Sequence, residues 1–329
     1  MRGGRWVRRP AGAILAAGGI VLALGAIATP WLTARAQARF PRTGEVLRVD
    51  GLDVHYVRAG RGPSVVLLHG AFGGLQDFQA TLWGPLTARA DAIAFDRPGS
   101  GYSERPRDEV ADPAVQARVL RAAARELGVE RPLLVGCSWG AAVALAWALE
   151  APEEVAGVVT VGGAIEPWYG ETDLAFRLAG VPLVGPLFAH TLATPLGTWL
   201  AARDVEQAFA PAPVAASFAR SPVALGLRPA SFLAQAEDLR VLDRFLADQA
   251  PRYAALDVPV LLLHGTGDGV AYAEVHSAAA ARALPRGEYR PVDGAGHQLL
   301  HSHPERVLDA IDELLGRLSA ARDGPASGN

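Results

Sequence analysis

The chain has 329 residues, half of them hydrophobic, and a formal net charge of −3 at neutral pH. This length is sufficient to bury a substantial core, and the near balance of charges argues against a nucleic-acid-binding surface. The single cysteine, Cys137, excludes an internal disulfide.

The N-terminal segment, residues 1–36, contains an uncharged stretch from Pro10 to Ala34 that follows four arginines. The stretch is longer than the roughly 20 apolar residues that a membrane-spanning helix needs. It predicts a single membrane anchor with the rest of the chain outside the cytoplasm, because the preceding arginines stay on the cytoplasmic side. The triplet Ala34-Arg35-Ala36 leaves open an alternative, a signal peptide cleaved before Gln37 that releases a secreted or periplasmic protein. Residues 35–44 are interpreted as a polar tether.

The next part of the chain alternates between strand and helix patterns. Glu45–Val49 and Val54–Val57 flank a turn and predict a β-hairpin. Further runs predict strands, the continuously apolar ones buried on both faces: Ser64–Leu68, Ala92–Phe95, the residues before Gly136, Val155–Val161, Val258–Leu263 and Glu288–Val292. Helical stretches lie between and after them: Leu75–Leu86, Pro113–Leu127, the residues up to Glu150, Ala273–Leu284 and Pro304–Leu318. This order predicts an α/β fold whose central sheet is mostly parallel and covered by helices.

The alternation stops after Gly163. Residues 166–253 have a helical pattern that is interrupted by proline and rich in large apolar side chains. We interpret this segment as an inserted helical cap. It divides the core into a first part, residues 37–165, and a second part, residues 254–320, with residues 321–329 as a frayed tail.

The motif Gly136-Cys137-Ser138-Trp139-Gly140 follows an apolar run and precedes an alanine-rich stretch. A strand, a sharp turn and a helix in this order strain the serine backbone and lift its hydroxyl above the sheet, so only small residues fit two positions away on either side. The pattern favours Ser138 as a nucleophile. Cys137 is a rival, but the residue before such a nucleophile points away from the reacting face, which favours a small buried side chain.

A serine nucleophile needs an adjacent base, and the base needs an orienting acid. Asp268 and His297 follow two successive predicted strands. The carboxyl ends of parallel strands line one crevice, so we expect both residues to converge on Ser138.

Rival residues lie near both positions. Asp293 is an alternative acid, and His301 and His303 are alternative bases, although the glycine-rich approach to His297 favours that histidine. The histidine spacing does not resemble a zinc site, and chemistry of this kind requires neither a metal nor another cofactor.

A tetrahedral intermediate needs prearranged donors for its negative oxygen. The Trp139 N–H at the predicted helix start is one candidate, and the loop His69-Gly70-Ala71-Phe72 offers a second, for which Ala71 is the first choice. Phe72 is also a candidate wall of the substrate pocket.

Together these motifs resemble the α/β-hydrolase superfamily of serine hydrolases over residues 45–319. The resemblance is carried by His69-Gly70, the loop Asp96–Ser103, Gly136–Gly140, Asp268 and His297, all in family order. It implies that Ser138 is the nucleophile, His297 the base and acid, and Asp268 the residue that orients His297, with an oxyanion hole formed by Ala71 and Trp139.

The predicted function is hydrolysis of a small lipophilic ester through an acyl-enzyme. Aromatic and aliphatic residues of the cap favour a lipophilic group on the substrate, with Phe72 and Trp168 as candidate pocket residues. The same triad also serves carbon–carbon bond hydrolysis and cofactor-free perhydrolysis, and a non-catalytic binding protein on this fold is a further alternative.

Overall fold

The computed structural model describes residues 8–105, 111–168 and 172–323. A sheet of eight strands runs through its centre in the order β1-β2-β4-β3-β5-β6-β7-β8. The strands are β1 Glu45–Val49, β2 Leu52–Ala59, β3 Ser64–Leu68, β4 Asp91–Phe95, β5 Leu133–Cys137, β6 Gly157–Val161, β7 Val260–Gly265 and β8 Gly287–Val292. β2 pairs antiparallel with β1 and β4, and all remaining neighbours pair in parallel.

Helices cover both faces of the sheet. In the core these are α2 Leu75–Thr81, α3 Trp83–Thr87, α4 Pro113–Glu126, α5 Trp139–Glu150, α11 Ser277–Ala283, α12 Leu299–Ser302 and α13 Pro304–Asp323. Strand β3 shows why both faces are buried: Val66 and Leu68 join one apolar cluster with α4 and α5, whereas Val65 and Leu67 join another with α2 and α13. The predicted α/β fold with a mostly parallel sheet is therefore confirmed.

The regular secondary structure described between β6 and β7 is helical. Its helices are α6 Leu174–Ala179, α7 Val184–Phe188, α8 Thr194–Phe209, α9 Val223–Gly226 and α10 Pro229–Gln249, with a π-helical turn at Ala189–Ala193 and 3-10 turns at Ala216–Arg220 and Ala250–Ala255. We call residues 166–253 the cap.

The N-terminal helix α1 spans Arg8–Arg39 and is 32 residues long. From Gly12 onward it is long and apolar enough to cross a membrane, with a mean hydropathy of 2.1 in its most apolar window. The prediction of a polar tether from residue 35 is wrong for residues 35–39, which are helical. Packing explains the difference: Ala36 is buried, and Arg39 donates a 2.9 Å hydrogen bond to the carbonyl oxygen of Ala219 in the cap.

Two other boundaries differ from the predictions. The helix expected at Leu75–Leu86 is divided into α2 and α3, which meet at Leu82. The last helix continues to Asp323, past the expected start of the tail at residue 321, and residues 324–329 lie outside the described part of the chain.

Candidate active site

The turn between β5 and α5 presents Ser138 at the carboxyl edge of the sheet. Its φ of 48° and ψ of −119° are strained for a residue with a side chain. A Cβ atom at Gly136 would lie 2.5 Å from the carbonyl oxygen of Gly140, and one at Gly140 would lie 2.2 Å from that of Leu68. Only glycine fits at either position, which agrees with the small residues expected around the turn.

Three of the predicted site residues form one hydrogen-bonded chain. The Ser138 hydroxyl oxygen lies 3.0 Å from Nε2 of His297, and Nδ1 of His297 lies 2.7 Å from Oδ2 of Asp268. The loops that carry them follow β5, β8 and β7, so the convergence results from the parallel order of these strands.

The rival residues are placed elsewhere. Asp293 is exposed to solvent. His301 is buried and pairs with Asp77 at 3.1 Å, and His303 contacts the neighbouring Ser302 hydroxyl. None of these three side chains takes part in the hydrogen-bonded chain of Ser138.

Asp268 accepts four hydrogen bonds. Its Oδ1 takes the N–H groups of Val270 and Ala271, and its Oδ2 takes His297 and a second imidazole, Nε2 of His264, at 3.0 Å. Burial opposes ionisation of this carboxyl, but the hydrogen bonds from His264 and His297 outweigh it and hold its pKa below the usual range. The group is therefore a fixed anion behind the His297 ring.

His264 was not anticipated from the sequence as part of the site. Its Nε2 faces two acceptors, Asp268 and the carbonyl oxygen of Ala271, so that nitrogen carries the proton, and Nδ1 accepts from the Ser277 hydroxyl at 2.7 Å. The available signal was a histidine at the end of the apolar strand β7, where a buried polar side chain requires a partner.

The loop after β3 lies directly against the nucleophile. A Cβ atom at Gly70 would lie 3.0 Å from Cβ of Ser138. The N–H of Phe72 donates to the side chain of Gln235 in α10, so that amide is already engaged. Trp139 opens α5, where the N–H groups lack intrahelical acceptors. The predicted oxyanion residues thus lie on either side of Ser138, Ala71 in the loop after β3 and Trp139 at the start of α5.

A buried arginine holds the Gly70 loop to the cap. Arg97 donates to the carbonyl oxygens of His69 and Gly70 and to Oδ2 of Asp238 in α10, at 2.9, 3.4 and 3.1 Å. Its guanidinium also lies 4.2 Å from the centre of the Trp139 ring. Arg105 reaches the other oxygen of Asp238 at 2.5 Å, so one carboxylate of the cap serves two arginines of the core.

We expect Asp238→Asn to destabilise the fold by about 3 kcal/mol, because removing one partner of a buried ion pair leaves the remaining charges uncompensated. Arg97 and Asp238 are 0% and 1% exposed, so water cannot replace the lost carboxylate. Chemical denaturation followed by circular dichroism measures the change.

Glu237→Gln is the matched control for this substitution. Glu237 also binds Arg105, but its side chain is 37% exposed, so we expect a cost below about 1 kcal/mol. Equal effects of the two variants would show that the buried network does not hold the cap.

The predicted pocket residues have different surroundings. Phe72 packs against Phe176 and Phe232, with ring centres 5.8 and 6.4 Å apart, within a small apolar cluster shared with the cap. Trp168 is 38% exposed, and its ring meets His276 edge-on at 5.4 Å. Phe72 belongs to an apolar cluster formed mainly by cap residues, whereas the ring of Trp168 covers a histidine.

Two buried histidines are expected to make stability depend on pH. Burial is the largest cause that lowers the pKa of His69 and of His276 from 6.5 to about 4 in each case, and the positive charge of Arg97 adds to the lowering at His69. Both rings accept backbone N–H groups: Nε2 of His69 accepts from Arg97, and Nδ1 of His276 accepts from Glu166.

The contribution of these two neutral histidines to the free energy of unfolding is present above pH 6.5 and is lost as the pH falls towards 4. The unfolded chain binds protons on these histidines in that pH range, whereas the folded chain does not. The loss is up to about 3 kcal/mol for each histidine. Denaturation midpoints from pH 7.5 to pH 4 should therefore fall steadily, and His276→Asn should flatten the slope. A midpoint independent of pH would contradict this assignment.

The sequence from residue 63 to residue 304 matches the alpha/beta hydrolase fold family, and the chain belongs to that family. It is 27% identical over 302 residues to an uncharacterized protein of Mycobacterium tuberculosis, a match that covers 84% of this chain and 82% of the relative. It is also 32% identical to 2-hydroxy-6-oxo-6-phenylhexa-2,4-dienoate hydrolase of Comamonas testosteroni over 134 residues, 40% of this chain and 46% of that enzyme.

Solved structures show the same fold. A membrane phospholipase A described as a bacterial virulence factor aligns with a TM-score of 0.64 and 22% identity, over 96% of this chain and 99% of its own. A candidate aryl esterase from Burkholderia cenocepacia aligns with a TM-score of 0.68 and 22% identity, over 84% of this chain and 100% of its own. The family resemblance stated from the motifs is confirmed.

Proposed function

We propose that the protein is a membrane-anchored serine hydrolase that cleaves a lipophilic carboxylic ester through an acyl-enzyme. The observation that supports this most strongly is the hydrogen-bonded chain from Ser138 through His297 to Asp268, with separations of 3.0 and 2.7 Å. These distances fit proton transfer from the hydroxyl to the imidazole.

In the proposed reaction, Oγ of Ser138 attacks the ester carbonyl carbon while Nε2 of His297 takes the hydroxyl proton. The N–H groups of Ala71 and Trp139 stabilise the resulting oxyanion. Collapse of the intermediate breaks the bond to the alcohol oxygen, which receives the proton from His297. A water molecule, deprotonated by His297, then releases the acid from Ser138.

An apolar cluster that includes Phe72, from the loop that approaches Ser138 at Gly70, supports a lipophilic substrate. Four phenylalanines pack together at the boundary of core and cap: Phe72, Phe176, Phe188 and Phe232. Structural neighbours of this chain include a membrane phospholipase A and a candidate aryl esterase, which agrees with ester chemistry. No cofactor enters this mechanism.

Helix α1 supports membrane anchorage rather than cleavage before Gln37. The triplet Ala34-Arg35-Ala36 lies inside the continuous helix, and Ala36 is only 5% exposed because it packs against the folded domain. With the four arginines that precede the uncharged stretch in the cytoplasm, the hydrolase domain lies outside. Mass spectrometry of the mature N-terminus tests this, and a chain that starts at Gln37 would refute anchorage.

A fluorophosphonate probe tests the reaction class. We expect one phosphonyl group per chain, attached to Ser138, as shown by peptide mass spectrometry. A protein that is not labelled would be a binding protein on a hydrolase fold. A series of aryl esters of increasing acyl length then defines the acyl preference.

Carbon–carbon bond hydrolysis is the second candidate, favoured by the partial identity to the dienoate hydrolase of Comamonas testosteroni. Spectrophotometric assay of a ring-fission dienoate beside an aryl ester, with the same enzyme preparation, separates the two activities. If the dienoate is turned over faster than the ester, the proposed activity becomes carbon–carbon bond hydrolysis.

A further inference from the structure

The cap carries a long uncharged segment whose apolar side chains are exposed. Residues 178–202 contain no Asp, Glu, Lys or Arg. Seven large apolar side chains in this segment, which we call the apolar cap face, are exposed by 37% to 87%: Val181, Leu183, Val184, Leu187, Leu196, Trp199 and Leu200. A soluble surface rarely collects so many apolar groups on neighbouring helices, so this face fits an apolar environment.

One residue of the apolar cap face has a strained backbone. Leu183 has a φ of 64°, a left-handed conformation that is costly for a large side chain, and it is 87% exposed. The conformation turns an apolar side chain outward at the start of α7.

Helix α1 packs on the same part of the cap. A Cβ atom at Gly25 would lie 2.0 Å from the carbonyl oxygen of Thr191, so glycine allows the helix to approach the π-helical turn. Thr29 donates from its Oγ1 to that oxygen at 3.4 Å and is buried. The turn lies between α7 and α8, the helices that carry the apolar cap face.

The depth at which the contact between α1 and Thr191 would lie in a membrane follows from the residues near the end of α1. Trp31 is 60% exposed, and the guanidinium of Arg35 lies 5.5 Å from its ring centre. Tryptophan and arginine at the end of an apolar helix are typical of a membrane–water interface. Gly25 is six residues before Trp31, which places the Thr191 contact about 9 Å deeper at 1.5 Å per residue.

We propose that the apolar cap face lies in the outer leaflet of the bilayer that α1 crosses. This rests on the proposed membrane anchorage of α1. The cap is thereby partly immersed, with Trp199 among the lipid headgroups or acyl chains, and a lipophilic ester enters the hydrolase from the lipid.

Site-directed fluorescence tests the immersion in the full-length chain. Single cysteines are introduced as Leu183→Cys and Trp199→Cys, labelled with an environment-sensitive fluorophore and reconstituted in phosphatidylcholine vesicles. The native Cys137 is buried, and burial raises the pKa of its thiol, so it should not compete for the label. Glu130→Cys is the matched control, because Glu130 is exposed in the loop before β5, at the opposite edge of the sheet from Ser138.

We expect the labels at positions 183 and 199 to be quenched by nitroxide-bearing lipids and protected from aqueous iodide, and the label at position 130 to show the reverse. Iodide quenching at 183 and 199 equal to that at 130 would overturn the proposal. Protection from both quenchers would assign the face to a second protein chain and would also overturn it.

A label at Ile20→Cys in α1 separates this proposal from the anchorage on which it rests. Ile20 is 60% exposed within the apolar helix. Lipid quenching at position 20 with iodide quenching at 183 and 199 would refute the immersed cap alone. Iodide quenching at all three positions would refute anchorage and the immersed cap together.

An activity measurement provides a second test. Leu183→Glu and Trp199→Glu should leave hydrolysis of a water-soluble short-chain aryl ester unchanged and lower hydrolysis of a long-chain ester embedded in vesicles several-fold. Equal rates of the variants and the parent protein on the vesicle-embedded ester would contradict entry through this face.

Discussion

Ser138→Ala is expected to lower kcat on a short-chain aryl ester by about 10⁴- to 10⁶-fold. The substitution removes the oxygen that lies 3.0 Å from Nε2 of His297 and leaves no other hydroxyl in the hydrogen-bonded chain of the described site. Residual turnover would come from substrate binding and the backbone donors alone. Initial rates with a chromogenic ester measure the loss, and an unchanged denaturation midpoint shows that the fold is intact.

Cys137→Ala is the matched control at the adjacent position. The thiol is 7% exposed at the end of β5, and burial raises its pKa, so it supplies little thiolate. We expect nearly full activity. If Ser138→Ala kept the wild-type rate, or if Cys137→Ala lost activity to a comparable degree, the nucleophile would be the thiol of Cys137 and not the hydroxyl of Ser138.

Asp268→Asn is expected to lower kcat by about 10⁴-fold with little change in the overall fold. Oδ2 of Asp268 accepts N–H groups from both His297 and His264. An asparagine amide places either an N–H group or a neutral oxygen there. The His297 ring then loses its fixed orientation and tautomer, and the positive charge that it acquires during the reaction is no longer balanced.

Asp293→Asn provides the comparison, since this carboxylate is close to His297 in the sequence but exposed to solvent. Its activity should match that of the parent protein. A large loss in Asp293→Asn together with a small loss in Asp268→Asn would assign the orienting role to the rival acid.

The candidate catalytic residues could be predicted from the sequence because each of them follows the end of a strand. Ser138, Asp268 and His297 each follow a strand of the parallel sheet, so their approximate meeting point followed from the order of elements alone. The strain at Ser138 was likewise predictable, because Gly136 and Gly140 stand on either side of it.

Contacts between distant segments were not predictable. The end of α1 at Arg39 depends on a carbonyl group of Ala219, 180 positions away, and local composition favoured a tether. Asp238 and Gln235 lie in a cap helix, and nothing in the local sequence shows that they bind Arg97 and Phe72 of the core. A single sequence does not show which distant residue satisfies a buried polar group.

The shared carboxylate of Asp238 has a consequence for the way substrates pass the cap. Swinging α10 away from the core would separate a buried anion from two guanidinium groups and would release the loop that lines the nucleophile. A large movement of α10 away from the core is therefore unfavourable, and the loop beside Ser138 keeps its position as long as these ion pairs and the bond from Phe72 to Gln235 remain.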